Sequence, residues 1–442
     1  MNSWIALFST LLSLQLARPL RWDLDASPVT VVSGPTVLHA DVFTQWGGHT
    51  FPYLVEGEEH LYWSGLEAYE GPALLGSVPK PGVAGEAVVA RIPLEGAFRR
   101  TNPPQVVRTP DEHLHVFLVT RSLDDESGDI HYWRTERPGD VTSLVDRSEL
   151  MPKTRFAQFT IRQNVGVSRD GRRIVFCNLT DFVDGKHLMN MPLVWIGERE
   201  GEDFRFAEPV VYGEQTSFFY PQVAATDEGP VLLGAVDRDP NRNAELVHLD
   251  WSGRVLSWVA LPGIEGESWA FDMQPLDSKD WSRLAIARLT MPEAGTERGL
   301  EFWIYDTKTR RLEARNRFAA DHATERSFAS AGKFWMQDGA APLFLNEPGS
   351  HRIVAWGGPL LEESGNAVLH PLPRTTAATI GYGGIRSLFF PSILQGSVPD
   401  TTSLRPVAAD LSRPGIDRER DGDRCAFLLW WLRRDGTGRV GD

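Results

Sequence analysis

Apolar residues in this chain come in short runs, and each run is cut by glycine or acidic residues before a 3.6-residue period can establish itself. The runs come in pairs. Phe51-Pro52-Tyr53-Leu54-Val55 and His60-Leu61-Tyr62-Trp63 flank a turn at Gly57. Gln105-Val106-Val107 and Leu114 to Val119 flank Asp111. Val165-Gly166-Val167 and Ile174-Val175-Phe176 flank Gly171, and Gln222-Val223-Ala224 and Val231-Leu232-Leu233 flank Gly229. Weaker copies place Asp280 before Leu284-Ala285-Ile286 and Gly339 before Leu343-Phe344-Leu345. The last joins Phe390-Pro391-Ser392-Ile393-Leu394 to Gly396. Turns at 57, 111, 171, 229, 280, 339 and 396 are 51 to 60 residues apart.

That period suits a blade of four antiparallel strands of about 6 residues each with their loops. One such sheet cannot bury two apolar faces by itself, whereas sheets stacked radially can, and stacking also protects their edges. The pattern therefore predicts an all-β fold: a single β-propeller with four-stranded antiparallel blades. Seven blades are expected, with six as the next count. The propeller should span residues 21–434, with 435–442 a tail. The first 45 residues should supply an outer or closing strand, and Phe427 to Leu432 a buried final one.

Composition narrows the function. The formal charge of −14 argues against a nucleic-acid partner, because neutralising phosphates needs a surplus of Lys and Arg. Two cysteines, Cys177 and Cys425, cannot build a disulfide framework or a CxxC metal site. His113 and His115 lie two apart without further ligands at metal spacing, so they read as ordinary strand residues. No metal or cofactor is expected. The apolar run Trp4 to Ala17 has the length of a secretory core and is too short to span a membrane comfortably. Residues 1–20 thus read as a possible signal peptide of a secreted or periplasmic protein, with no stable membrane insertion.

Two stretches resemble a known family. Ser168-Arg169-Asp170-Gly171 resembles a degenerate form of the Ser-x-Asp-x-Gly turn, or Asp-box, of sialidase-type propellers. In such a turn Ser and Asp bind backbone and Gly takes positive φ. Pro110 to Val116, followed by Ile130-His131-Tyr132-Trp133-Arg134-Thr135 and Pro138-Gly139-Asp140, resembles a blade of the BNR-repeat propellers that include the ulvan lyases. So does Ser217-Phe218-Phe219-Tyr220-Pro221-Gln222 with Asp237-Arg238-Asp239. The chain departs from that pattern at Gln222, where the family has Arg, and at Asn102-Pro103-Pro104-Gln105, where it has Asp-His-Asn. The resemblance implies a carbohydrate-active propeller acting on an acidic poly- or oligosaccharide in its axial pocket.

Lyase chemistry needs a partner for the uronate carboxylate, a base for the C5 proton and an acid for the leaving oxygen. His49 and Tyr220 are the candidate acid/base groups. Arg121 and Arg238 end equivalent strands and suit a carboxylate clamp, since guanidinium grips carboxylate in a fork. Arg134 is a further candidate for substrate binding or for an ion pair between blades. Trp269 could stack on a sugar face and Asp272 could act as an acid. The alternatives are a non-catalytic glycan- or protein-binding propeller and a sialidase-like hydrolase.

Overall fold

The computed structural model describes residues 17–18, 29–44, 53–67, 72–80, 82–94, 98–99, 104–122, 128–153, 165–183, 186–212, 218–238, 241–261, 271–275, 281–290 and 299–319. Beyond these it describes 343–347, 352–357, 366–371, 377–378, 383–384, 387–395 and 423–434, with side chains only between residues 55 and 312. Among the described residues the chain is all-β apart from one 3-10 turn at Ser148–Leu150.

The described strands form seven sheets, taken below in chain order. The first holds Tyr53–Glu56, His60–Leu66, Ala73–Pro79 and Val88–Arg91 in sequential antiparallel order. In the second, Phe98–Arg99 and Gln105–Arg108 both pair with Leu114–Ser122, followed by Gly128–Thr135 and Leu144–Asp146. The third runs Val165–Val167, Arg173–Val183, Lys186–Glu200 and Asp203–Phe206. The fourth runs Phe218–Ala225, Pro230–Arg238, Asn241–Leu249 and Val255–Ala260. The fifth runs Phe271–Pro275, Arg283–Thr290, Gly299–Asp306 and Arg311–Ala319, with Ala17–Arg18 added in parallel. Three strands between Leu343 and Pro371 make the sixth. In the seventh, Val29–Thr44 pairs with Asp423–Arg434.

One repeat sits differently from its expected place. Phe390 to Leu394 read as a first strand, but Ser387–Gln395 is an interior strand. It pairs with Ala377–Ala378 and Gly383–Gly384 on one side and Asp423–Arg434 on the other. An apolar run by itself carries no information on strand order. The proposed turns at Asp280, Gly339 and Gly396 lie outside the described residues.

The sheets pack face to face, and the core is a set of interlayers. Ile174 and Phe176 pack with Val107, Phe117 and Tyr132 of the second sheet. Their neighbours Val175 and Cys177 pack with Val223, Leu232 and Val247 of the fourth. Alternate side chains point to opposite faces of a strand, so burying both faces requires an unbroken apolar run. The same interdigitation joins first to second and fourth to fifth sheets. Phe117 and Tyr132 stack at 4.9 Å with rings 4° apart, and Trp195 meets Phe176 edge-on at 5.7 Å. Gly76 faces Trp63 across a strand pair, and a Cβ there would lie 2.1 Å from the indole. The first strands of consecutive sheets touch from the first sheet to the fifth, which makes them the innermost strands.

Candidate active site

Each innermost strand runs from one edge of its sheet to the other and ends in the turn to the second strand. The edge carrying these turns is called the lower edge here, and the edge where the innermost strands begin the upper edge.

The lower edge is closed by short polar side chains. Ser168 Oγ donates to Asp170 Oδ1 at 2.7 Å and accepts the Arg173 N–H at 2.9 Å, while Asp170 accepts the Arg172 N–H at 3.0 Å. Gly171 sits at φ +69°, and a Cβ there would come 2.5 Å from Pro110 Cδ in the second sheet. Asp250 organises a similar turn, accepting the Ser252 and Arg254 N–H groups at 2.9 and 3.0 Å, with Gly253 at φ +84°. The turn at Ser168 is thus built of local hydrogen bonds.

Ionic contacts cross between sheets at this edge. Arg199 pairs with Asp111, Arg169 with Asp227 at 3.3 Å and Arg310 with Glu228 at 3.8 Å. Burial would raise the Asp111 carboxyl, but hydrogen bonds from Arg199 and Thr109 outweigh it and hold the group at about 2. Arg134 belongs here too. It is almost fully buried, with Nε 2.6 Å from Asp203 Oδ1 and Nη1 2.8 Å from Glu202 Oε2 of the third sheet. Arg147 grips the other Asp203 oxygen at 3.0 Å. The ion-pair reading of Arg134 is therefore the one its geometry matches. It stands opposite His115 near the lower end of its strand, away from the other candidates.

His113 and His115 are buried hydrogen-bonding residues. His113 Nδ1 lies 2.7 Å from the Thr135 carbonyl oxygen. Tyr132 Oη accepts the Phe204 N–H at 3.2 Å and lies 2.8 Å from His115 Nδ1. Burial above all, then Arg199 and Arg134, pushes His115 down to about 3, so its imidazole is neutral. His248 Nε2 lies 2.8 Å from Tyr305 Oη of the fifth sheet, and burial followed by Arg310 lowers it to about 4. Among the described residues no group of three or more His, Cys, Asp and Glu side chains is placed to hold a metal.

The other described candidates fall on the upper edge. Tyr220 is the third residue of Phe218–Ala225, an innermost strand. There the register shifts between Phe219↔Ala235 and Gln222↔Leu233, so Tyr220 and Pro221 together oppose Gly234. This is a β-bulge, a device that re-aims a side chain, and Pro221 fits because it has no N–H to leave unpaired. Arg238 ends the adjacent strand, opposite Asn241. Arg121 is next to last in its strand, opposite Gly128 and Arg99. Asp272 is the second residue of Phe271–Pro275, which touches the strand of Tyr220. His49 and Trp269 lie outside the described residues, just ahead in sequence of Tyr53–Glu56 and Phe271–Pro275.

Register singles out two further positions, Gln105 and Gln222. Gln105, Gln222 and Asp272 each stand three residues before the last paired residue of an innermost strand, Arg108, Ala225 and Pro275 respectively. Gln105 and Gln222 are both buried. The signal was legible as Pro104-Gln105-Val106 and Pro221-Gln222-Val223, a repeated tripeptide. By register, Arg121, Tyr220, Arg238 and Asp272 thus stand toward the upper edges of the second, fourth and fifth sheets, with Gln105 and Gln222 at the level of Asp272.

No protein-family model matches the chain, and no curated protein sequence matches it. Among solved structures it is similar to the Penicillium chrysogenum α-L-arabinanase complexed with arabinobiose. That match has 11% identity and a TM-score of 0.45 over 75% of this chain and 93% of that one. It is also similar to the GH93 α-L-arabinofuranosidase of Fusarium graminearum, at 10% identity and a TM-score of 0.43 over 75% and 92%. The β-propeller domain of the Trilobed protease from Pyrococcus furiosus matches at 10% identity and a TM-score of 0.41 over 77% and 89%. Glycosidases and a protease stand side by side here, so the likeness assigns neither a substrate nor a reaction.

Proposed function

We propose that the chain closes as a seven-bladed β-propeller and cleaves an acidic poly- or oligosaccharide at the upper end of its axis. Closure is supported by seven sheets in chain order and by the pairing of Val29–Thr44 with Asp423–Arg434, which ties the ends of the chain together. The observation that carries the functional reading is Tyr220. It sits at a bulge on an innermost strand, with Asp272 on the touching strand and Arg238 and Arg121 at the same edge.

The favoured reaction is β-elimination. Arg121 and Arg238 pair with the uronate carboxylate and so acidify the adjacent C5 proton. One of Tyr220 and His49 removes that proton as the other protonates the departing O4. The C4–O4 bond breaks and a C4=C5 double bond forms, so atoms and charge balance. Trp269 would stack on a neighbouring ring. The contact between the strands of Asp272 and Tyr220 favours a second reading, glycoside hydrolysis with Asp272 as general acid. The apolar run Trp4 to Ala17 supports export to where such polymers occur.

The test is incubation of the full chain with polygalacturonate, alginate and glucuronate-containing polymers. Ultraviolet-absorbing unsaturated ends support elimination, and new reducing ends without them move the assignment to hydrolysis. Neither product, together with no binding to any polymer, rejects the reading. With either product, Tyr220→Phe is expected to lower turnover by about 10²–10⁴-fold, the range of a lost proton-transfer group, without changing thermal stability.

A further inference from the structure

Gln222 stands where the bulge of the fourth sheet ends. From Gln222 to Ala225 the innermost strand keeps one unbroken register with Leu233 to Pro230, and just before Gln222 the ladder is interrupted by Tyr220 and Pro221. Ala224 and Leu233 pack between the fourth and fifth sheets, whereas Val223 packs toward the third. Side chains two apart on a strand share a face, as do direct cross-strand partners, so Gln222 faces the fifth sheet. It is 1% exposed there. It lies at the level of Asp272, on a strand that its own strand touches. Pro221 is buried as well.

A buried carboxamide keeps its hydrogen bonds, because leaving them unmade costs free energy, and its residue is held in place by them. A bulge lacks ladder bonds at its own residues, so its shape follows from the residues that flank it. Gln222 is thus the fixed point next to Tyr220 and Pro221.

Gln105 supplies a matched counterpart. It too follows a proline, precedes a valine and is buried, at 4% exposure. Its strand mate Val107 and its cross-strand partner Phe117 pack between the second and third sheets, so Gln105 likewise faces the sheet that follows its own. An interruption precedes it as well, with residues 100–104 opposite residues 118–120. None of the candidate acid/base groups lies in residues 100–104.

We propose that Gln222 is a positioning residue of the site: anchored against the fifth sheet, it fixes the bulge and with it the place of Tyr220 relative to the strand of Asp272. The inference rests on the carbohydrate reading above. Gln222 itself neither touches the ligand nor moves a proton. Its effect passes through Tyr220, and misplacing a reacting group by about 1 Å can cost ~10²-fold in rate.

The experiment measures kcat and KM of the full chain on whichever of polygalacturonate, alginate and glucuronate-containing polymers the wild type cleaves. Gln222→Met, which keeps the side-chain length and loses its hydrogen bonds, is expected to lower kcat by about 10–100-fold with KM within about twofold. Gln105→Met is expected to lower the melting temperature by a similar amount and to leave kcat within about twofold. On a Tyr220→Phe background, Gln222→Met is expected to change kcat by less than about twofold, because a residue that acts through another is not additive with it. Wild-type kcat in Gln222→Met, equal kcat losses in the two glutamine variants, or the same loss with and without the Tyr220 hydroxyl would each overturn the positioning role and leave the carbohydrate reading intact. A wild type that cleaves none of the polymers overturns the cleavage reading and this inference together. Should Gln222→Met fail to fold, Gln222→Glu, which keeps the shape and an oxygen acceptor, is judged by the same criteria.

Discussion

The two edges of the sheets solve different problems. The lower edge is stitched. Ser168, Asp170 and Asp250 close its turns, and Arg199, Arg134, Arg169 and Arg310 bridge neighbouring sheets from the second to the fifth. The upper edge carries the irregularities: the bulge at Tyr220-Pro221 and the register shift between Thr180 and Phe182. Regular turns and reciprocal ion pairs hold sheets in register, while bulges re-aim side chains. Arginine illustrates the contrast. On the lower edge it pairs with carboxylates of the protein itself, and on the upper edge Arg238 ends its strand and Arg121 is next to last in its own.

The comparison can be broken from the stability side. The largest effect is expected from Trp195→Ala, between second and third sheets. The indole is fully buried, and the cavity should cost about 3–5 kcal/mol in denaturant unfolding. Arg134→Ala should follow at about 3 kcal/mol, because it leaves Asp203 and its neighbours short of a buried partner. The same variant should bind saccharide as the wild type does, measured calorimetrically. A large loss of affinity with little loss of stability would return Arg134 to the ligand site and erase the division between edges. Gly171→Ala should cost about 2 kcal/mol through its left-handed backbone and its approach to Pro110.

Acid provides the mildest probe. His115 and His248 are held at about 3 and about 4, below the ~6.5 of an unfolded chain. As pH falls below ~6.5 the unfolded state binds protons first, so stability present above that pH declines toward the folded values. The slope for one such group approaches ~1.4 kcal/mol per pH unit. Unfolding free energies measured between about pH 6.5 and 5, ahead of most carboxylates, should fall, and His115→Gln should flatten the decline. A flat profile in the wild type would mean that the imidazoles are not buried as neutral groups between the sheets.

The strand pairs around Gly57, Asp111, Gly171 and Gly229 were readable because a strand buried on both faces needs an unbroken apolar run, and its turn needs glycine or a short polar side chain. The strand at Phe390 was misplaced for the same reason: an apolar run marks an interior strand without saying which one. Tyr220, Arg238, Arg121 and Asp272 were picked by residue type, and strand direction then put them on one edge. Arg134 is chemically their equal, yet an odd number of strand reversals put it at the other edge, beside acids from residue 202 onward. Gln105 and Gln222 were overlooked because an amide carries no charge to draw attention. Their equivalence appears only when turns are aligned.

What the chain determined by itself is its periodicity. Alternation, turn residues and two-sided burial are local, and local physics is written within a few residues. Which edge a side chain reaches, which sheet it faces and where a register slips depend on strands far apart in the chain. Those choices were made by packing: each sheet must fit the apolar faces of both neighbours, and no short segment holds that information.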